Sequence, residues 1–475
     1  MRAGFSSWLI AGLFLLLLQS AYAQEFGRNK PHYQDFDFKV TRSPHFDLHH
    51  YLEDRQVVGR FLGAAEQWYA YEKIIFRDTF ASPNPVILYA DHADFQQTTA
   101  IMGSIGVGTG GVTEALKNRV VLPFMEVNSQ TSHVLGHELV HAFQYRMLRN
   151  SKDTLSLSDI QNIPLWMVEG LAEYLSLGNV DPHTAMWMRD AVRENDFPTL
   201  EKLTKGYAYF PYRYGQAFWA FVAGVYGDTV VYPLFLKTAK SGYEEAIRTV
   251  TGLDQKTFSE VWKKNMVDYY GKFKPPLRDD KLAGRLLIPN VKTGDMNIAP
   301  VLSPNGNYVA FLSQKNFFSI DLFLADARTG KVLRTLATTA REGHIDDFSF
   351  IESAGTWSPN SGRFAFPVFS EGKTKLAIVD LADKDKTSLI AIPGVPYFSN
   401  PTWSPDGEKI VVSGMVGGQG DLFLFNLADK TVKQLTDDWY SDLQPKWSHD
   451  GSPLIFVSDR PAAGRRYAPK SLQVC

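Results

Sequence analysis

Four stretches of this chain repeat one another, and that repetition limits its fold more than any other feature. They read APVLSPNGNYVAFLS from Ala299, AGTWSPNSGRFAFPV from Ala354, NPTWSPDGEKIVVSG from Asn400 and QPKWSHDGSPLIFVS from Gln444. In each, Ser-Pro or Ser-His leads into a turn holding Asn, Asp or Gly, and an alternating apolar strand follows. The serines Ser303, Ser358, Ser404 and Ser448 are 55, 46 and 44 residues apart. Further strand-like stretches, IDLFLADARTGKVLRTL and GDLFLFNLADKTVKQLT, fill the intervals. A period of roughly 45 residues with several strands per copy predicts propeller blades, each a small sheet that hides its faces against its neighbours.

Over about residues 296–460 these segments resemble TolB-like, WD-type propeller repeats, and the Trp-Ser-Pro-Asp-Gly form carries the resemblance. The pattern departs from a whole ring. Three blades and the start of a fourth do not close a propeller, which needs at least about four. The tail RPAAGRRYAPKSLQVC has no strand alternation. Truncation or alteration of the C-terminus is the expectation, ahead of ring closure by a partner.

At 475 residues the chain is expected to hold at least two domains. Residues 1–23 read as a secretory signal: Arg2, an apolar run from Trp8 to Leu18, and Ala21-Tyr22-Ala23 before the cleavage point. The apolar run is short for a membrane span of about 20 residues, so no stable span is expected after cleavage. The protein is therefore expected in the periplasm or secreted. Its single cysteine, Cys475, excludes a disulfide framework, so stability must come from buried core. A net charge of -2 argues against a nucleic-acid partner. Residues 24–271 form the expected first domain. Residues 272–295, which open KFKPPLRDD, read as a linker to the blades at 296–475.

Within the first domain, helices are expected over Tyr51–Arg77, Pro164–Leu177 and Tyr214–Tyr226, with strands at Pro85–Ala90 and Arg119–Pro123. The glycine-rich GSIGVGTGG lacks the Gly-Lys-Ser/Thr ending of a phosphate loop and reads as a flexible loop. Between lies HVLGHELVHAFQY, from His133 to Tyr145, on a helix that Ser129 or Thr131 can cap.

His137, Glu138 and His141 form His-Glu-x-x-His. On a helix that spacing puts both imidazoles on one face about 6 Å apart along the axis, which suits two ligands of one zinc ion. Glu138 stands where it can serve as general base toward a water at the metal and later pass the proton to the leaving amine. His133, one turn earlier, reads as a supporting residue. A metzincin would need Gly at 144 and His at 147; the chain has Gln144 and Met147. The next acids, Glu169 and Glu173 in PLWMVEGLAEYLS, are four apart on a predicted helix, and the residues alone allow either to complete the shell.

These two motifs in this order resemble the gluzincins of peptidase clan MA, over about residues 45–270. The resemblance implies a multidomain chain, an α+β zincin-like metallopeptidase domain followed by an all-β propeller. It implies one zinc ion held by His137, His141 and Glu169, with Glu173 orienting a ligand histidine through its second ring nitrogen. It also implies an oxyanion partner among Tyr207, Tyr209, Tyr212 and Tyr214, with Tyr214 expected ahead of Tyr212. Arg213 is expected to meet a substrate carboxylate or a surface acid. The strand Arg119–Pro123 is a candidate for pairing with an extended peptide.

The expected activity is zinc-dependent peptide-bond hydrolysis on a peptide or protein substrate, with the propeller as docking or gating module. The competing expectation is a catalytically weak or inactive zincin scaffold that binds a cell-envelope protein through the propeller. A serine peptidase would need a Gly-x-Ser-x-Gly elbow, which is missing.

Overall fold

The computed structural model describes residues 32–150, 156–206, 208–273, 286–288, 296–316, 319–338, 345–349, 354–383, 385–448, 450–451, 453–461 and 473–474. The expected signal at 1–23, Tyr207, most of the expected linker at 272–295, most of the tail and Cys475 lie outside them.

The N-terminal α/β region is built on a five-stranded sheet. Strands β1 (Lys39–Arg42), β2 (Phe46–His50), β3 (Asn84–Tyr89), β4 (Val112–Glu114) and β5 (Arg119–Pro123) lie in the order β1-β2-β3-β5-β4. The three central strands are parallel, and β1 and β4 add antiparallel edges. Val86 and Leu88 of β3 pair in register with Val120 and Leu122 of β5, and all four are fully buried. Arg119–Pro123 is therefore an interior strand with both edges taken, and the expectation that it could receive a peptide is corrected. The open edge beside the histidine helix belongs to β4.

Ten helices follow the chain among the described residues. They are α1 (Arg55–Phe76), α2 (His92–Phe95), α3 (Asn128–Asn150), α4 (Leu165–Leu177), α5 (Pro182–Arg193), α6 (Leu200–Lys205), α7 (Pro211–Tyr226), α8 (Val231–Ser241), α9 (Tyr243–Thr251) and α10 (Gln255–Tyr270). Helix α1 starts later than expected because Asp54 caps it, accepting from the Gln56 amide. In α3 the expected cap residue Thr131 sits inside the first turn, where its hydroxyl accepts from the Met125 amide at 3.0 Å.

Helices α4 and α7 cross at backbone contact. A β-carbon on Gly170 would stand 2.3 Å from the Gly215 backbone, and one on Gly215 would stand 2.0 Å from the Trp166 carbonyl oxygen. Only glycines allow this approach. The glycine after Glu169 is thus a packing requirement, and the crossing sets α4 against α7 while its acids face α3.

The C-terminal region is propeller-like: sheets β6–β9 (Asn297–Ala337), β10–β14 (Asp347–Ile390), β15–β18 (Tyr397–Gln434) and β19–β21 (Asp442–Val474). The repeated serine has one local job. In Ser303, Ser358 and Ser404 the hydroxyl donates to the Asn or Asp two residues on and accepts from the backbone N–H five residues on. This closes the turn that sends the next strand back. Of the tail, Gln473–Val474 pair antiparallel with the strand Leu454–Ser458.

Candidate metal centre

The four-residue spacing on α3 brings His137 and His141 together with Nε2 atoms 3.1 Å apart. Helix α4, held close by its glycine crossing, supplies Glu169. Its Oε2 lies 3.2 Å from His137 Nε2 and 3.3 Å from His141 Nε2. The three atoms form a nearly equilateral triangle. Zinc–ligand bonds of about 2.0–2.1 Å in a tetrahedron give ligand–ligand edges of about 3.3–3.4 Å, so the triangle has the size zinc requires.

The surroundings favour positive charge. Burial opposes charging of His137, yet Glu169, Glu173 and Glu138 together push its pKa up to about 10. His141 is raised as well: burial works against it, and Glu169 is the main cause in favour. Burial alone would raise Glu169, but His141 and His137 hold it well below the usual carboxylate range.

Each histidine of the trio has a support. Gln144 donates from Nε2 to the Val168 carbonyl at 3.1 Å, which leaves its Oε1 to accept from His141 Nδ1 at 2.9 Å. That fixes the proton on Nδ1 and the lone pair of Nε2 toward the triangle. Glu173 Oε1 lies 3.1 Å from His137 Nδ1, an ion-pair contact not aligned as a hydrogen bond. Arg213 donates to Glu173 Oε2 at 2.9 Å, and His133 Nε2 lies 3.4 Å from Oε1. A second trio, His133, His137 and Glu173, could also converge on a cation. Its carboxylate is already engaged by Arg213, so the first trio is the better site.

Glu138 points at β4. Thr113 Oγ1 lies 2.7 Å from its Oε2 and 2.8 Å from its carbonyl oxygen. The glycine-rich loop closes over the same side chain: a β-carbon on Gly111 would stand 2.8 Å from Glu138 Cγ. The end of the glycine-rich loop, at Gly110 and Gly111, thus packs on the histidine helix.

The structure brings together His137, Glu138, His141, Glu169 and Glu173, and leaves Tyr214 out. Tyr214 packs edge-on against Tyr209 and Trp187 and beside Phe197, so its assignment as oxyanion partner is corrected. Helix α7 begins at Pro211, three residues earlier than expected, and residues two apart on a helix point about 200° from each other. Tyr212 is the one facing the site. Its ring stacks on His137 with centroids 5.9 Å apart, and burial, then Glu169 and Glu138, hold its phenol protonated. Tyr145 stacks on His141, its pKa pushed up to about 12 by burial and by Glu169. Arg213 is spent on Glu173 and Asp181, so the expected substrate carboxylate is not its partner. Gln144, Thr113 and Tyr145 were not singled out as site residues in the sequence. Gln144 and Tyr145 lie three and four residues after His141, a spacing that could have marked them.

A family model described as "TolB beta propeller domain" matches residues 349–469. A protein TolB homolog of Chlorobium chlorochromatii is 30% identical over 159 residues, 33% of this chain and 35% of its own. A second homolog, from Chlorobium luteolum, is 31% identical over 103 residues, 22% of this chain and 23% of its own. The Tol-Pal system protein TolB of Ruthia magnifica is 27% identical over 86 residues, 17% of this chain and 19% of its own. The chain thus spans about a third or less of the length of these curated relatives. The crystal structure of TolB from Acinetobacter baumannii is 17% identical over 38% of this chain and 40% of its own, with a TM-score of 0.29. The C-terminal region is a TolB-like β-propeller domain, and the chain is multidomain, with an α/β region ahead of it.

Proposed function

We propose that the chain is a periplasmic or secreted zinc-dependent metallopeptidase with a zincin-like N-terminal domain of the gluzincin type. The observation that carries this reading is the triangle of His137 Nε2, His141 Nε2 and Glu169 Oε2, with edges of 3.1, 3.2 and 3.3 Å. These three residues would hold one zinc ion. Zinc bound there would polarise a scissile carbonyl and acidify an attacking water. Glu138, gripped by Thr113, takes the proton from that water and hands it to the leaving amine. Tyr212 keeps its phenol proton and offers it to the oxyanion. Gln144 and Glu173 hold the two imidazoles in place, and Arg213 holds Glu173. Strand β4 offers its free edge to an extended peptide, antiparallel pairing giving main-chain hydrogen bonds without regard to sequence.

Zinc content and peptide-library cleavage test the reading. One zinc per chain is expected, with cleavage that falls at least about a thousandfold in Glu138→Gln while zinc stays bound. Cleavage indifferent to that substitution removes the mechanism, and a chain without zinc removes the site.

A second reading rests on the propeller. The likeness to TolB, including a relative named for a Tol-Pal system, favours a module that binds a cell-envelope protein without turnover. Capture of an envelope protein by wild type and Glu138→Gln alike, with no cleavage by either, is the outcome that selects it.

A further inference from the structure

An unbroken series of aromatic rings leads outward from His137. Tyr212 stacks on His137 at 5.9 Å and 15°. Phe210 stacks on Tyr212 at 5.1 Å and 25°, and Trp187 lies 5.7 Å from Phe210. The outer rings face water: Phe210 is 44% exposed and Trp187 39%. Both are held in place. Tyr214 braces Trp187 edge-on at 6.4 Å and 84°. Phe210 precedes Pro211, which keeps its backbone extended, at φ -69° and ψ 113°.

Adjoining exposed aromatic rings leave apolar surface in water, and such patches mark places where an apolar partner is received. This one is joined to the ring of a ligand candidate through Tyr212, which puts it on the way into the site. Arg213, on the helix turn that carries Phe210 and Tyr212, is committed to Glu173 and Asp181.

Resting on the peptidase reading, we propose that Phe210 and Trp187 form a specificity shelf. It takes an aromatic or large aliphatic side chain of the peptide substrate, next to the scissile bond. Flat rings at fixed spacing favour stacking by another ring over a small or charged side chain.

The test uses the full chain with zinc added and two blocked peptides that differ only by Phe or Gly at one position. In the Glu138→Gln protein, calorimetric titration is expected to show about tenfold tighter binding of the Phe peptide. Adding Phe210→Ala or Trp187→Ala is expected to bring that ratio near one, and Phe210→Leu to leave it intermediate. Equal binding of the two peptides, binding of neither, or a ratio untouched by both alanine substitutions overturns the shelf. A Phe preference in binding together with a wild type that cleaves neither peptide supports the shelf and overturns the peptidase reading instead.

Discussion

Thr113 Oγ1 lies within hydrogen-bond reach of both the Glu138 carboxylate, at 2.7 Å, and the Glu138 carbonyl, at 2.8 Å. One hydroxyl from the sheet edge thus fixes the side chain and the backbone of the same helical residue. It has a single proton, so the two acceptors compete for it. Thr113→Val should cut kcat by about 10–100-fold with little change in KM, the usual cost of removing such a support. Thr113→Ser should restore most of the rate. Steady-state cleavage assays decide it: a Val variant with wild-type kcat removes Thr113 from the mechanism.

Gln144 carries both a donor and an acceptor into a fully buried place, bridging the Val168 carbonyl and His141 Nδ1. Gln144→Leu is expected to weaken zinc binding about 10–100-fold, measured by competition with a chromophoric chelator. It also strands a buried carbonyl, at a cost of about 1–3 kcal/mol in unfolding experiments on the metal-free protein. Unchanged zinc affinity would show that His141 needs no partner to hold its tautomer.

His137 sets the pH dependence of metal loading. In the metal-free protein its pKa is pushed up to about 10, against burial, by Glu169 and Glu173. Its folded value stands above its ordinary one of 6.5, so its contribution to metal-free stability is complete below 6.5 and is lost as pH rises through about 10. Zinc must displace that proton. Affinity should therefore climb as pH rises from neutrality toward about 10, with about one or more protons released per zinc near pH 7. Calorimetry in buffers of different ionisation enthalpy counts them, and a count of zero at pH 7 excludes a protonated His137.

What the sequence made legible divides by range. The blade turn is local: a serine, an Asn or Asp two residues on and a backbone amide five on, all inside one short segment. The facing of His137 and His141 is local too, fixed by helical pitch. Glu169 depends on a helix crossing that only Gly170 and Gly215 permit, and the sequence alone left it interchangeable with Glu173. Thr113 comes from a strand edge 25 residues away, and no periodicity announces such a contact. The exchange of Tyr212 for Tyr214 was an error of phase. Moving the helix start to Pro211 accounts for which ring meets His137.

Glu72 on α1 is fully buried, and neither carboxylate oxygen has a hydrogen-bond partner among the described residues. Burial raises its pKa well above the ordinary value, with the charge of His137 opposing. A raised folded pKa means the associated stability is complete below the ordinary pKa of 4.5 and is lost as pH rises. At neutral pH Glu72 should therefore weaken the fold. Glu72→Met is expected to stabilise the protein by about 1–3 kcal/mol at pH 8 and by less at pH 5, read from urea midpoints. Destabilisation at pH 8 would show that the charged carboxylate is held after all.

The propeller docks on the same helix that carries the histidines. Asn128, the first residue of α3, donates its amide to Ser441 Oγ at 3.2 Å and its side chain to the Trp439 carbonyl at 3.1 Å. Beside it the Arg60 guanidinium of α1 lies 3.6 Å over the Trp439 ring and donates to Gln419 Oε1 at 2.7 Å. Gly418 reaches the Phe124 ring so closely that a β-carbon would stand 2.5 Å from it. The cation–π contact of Arg60 on the half-exposed Trp439 ring contributes about 0.5–1 kcal/mol. Trp439→Ala should therefore loosen the docking and split thermal unfolding into two calorimetric transitions, while zinc content stays at the wild-type value. Arg60→Lys should recover only part of the effect, because an ammonium cannot stack its plane on the indole. A single transition at the wild-type temperature in Trp439→Ala would mean that the Asn128 contacts hold the two regions together without it.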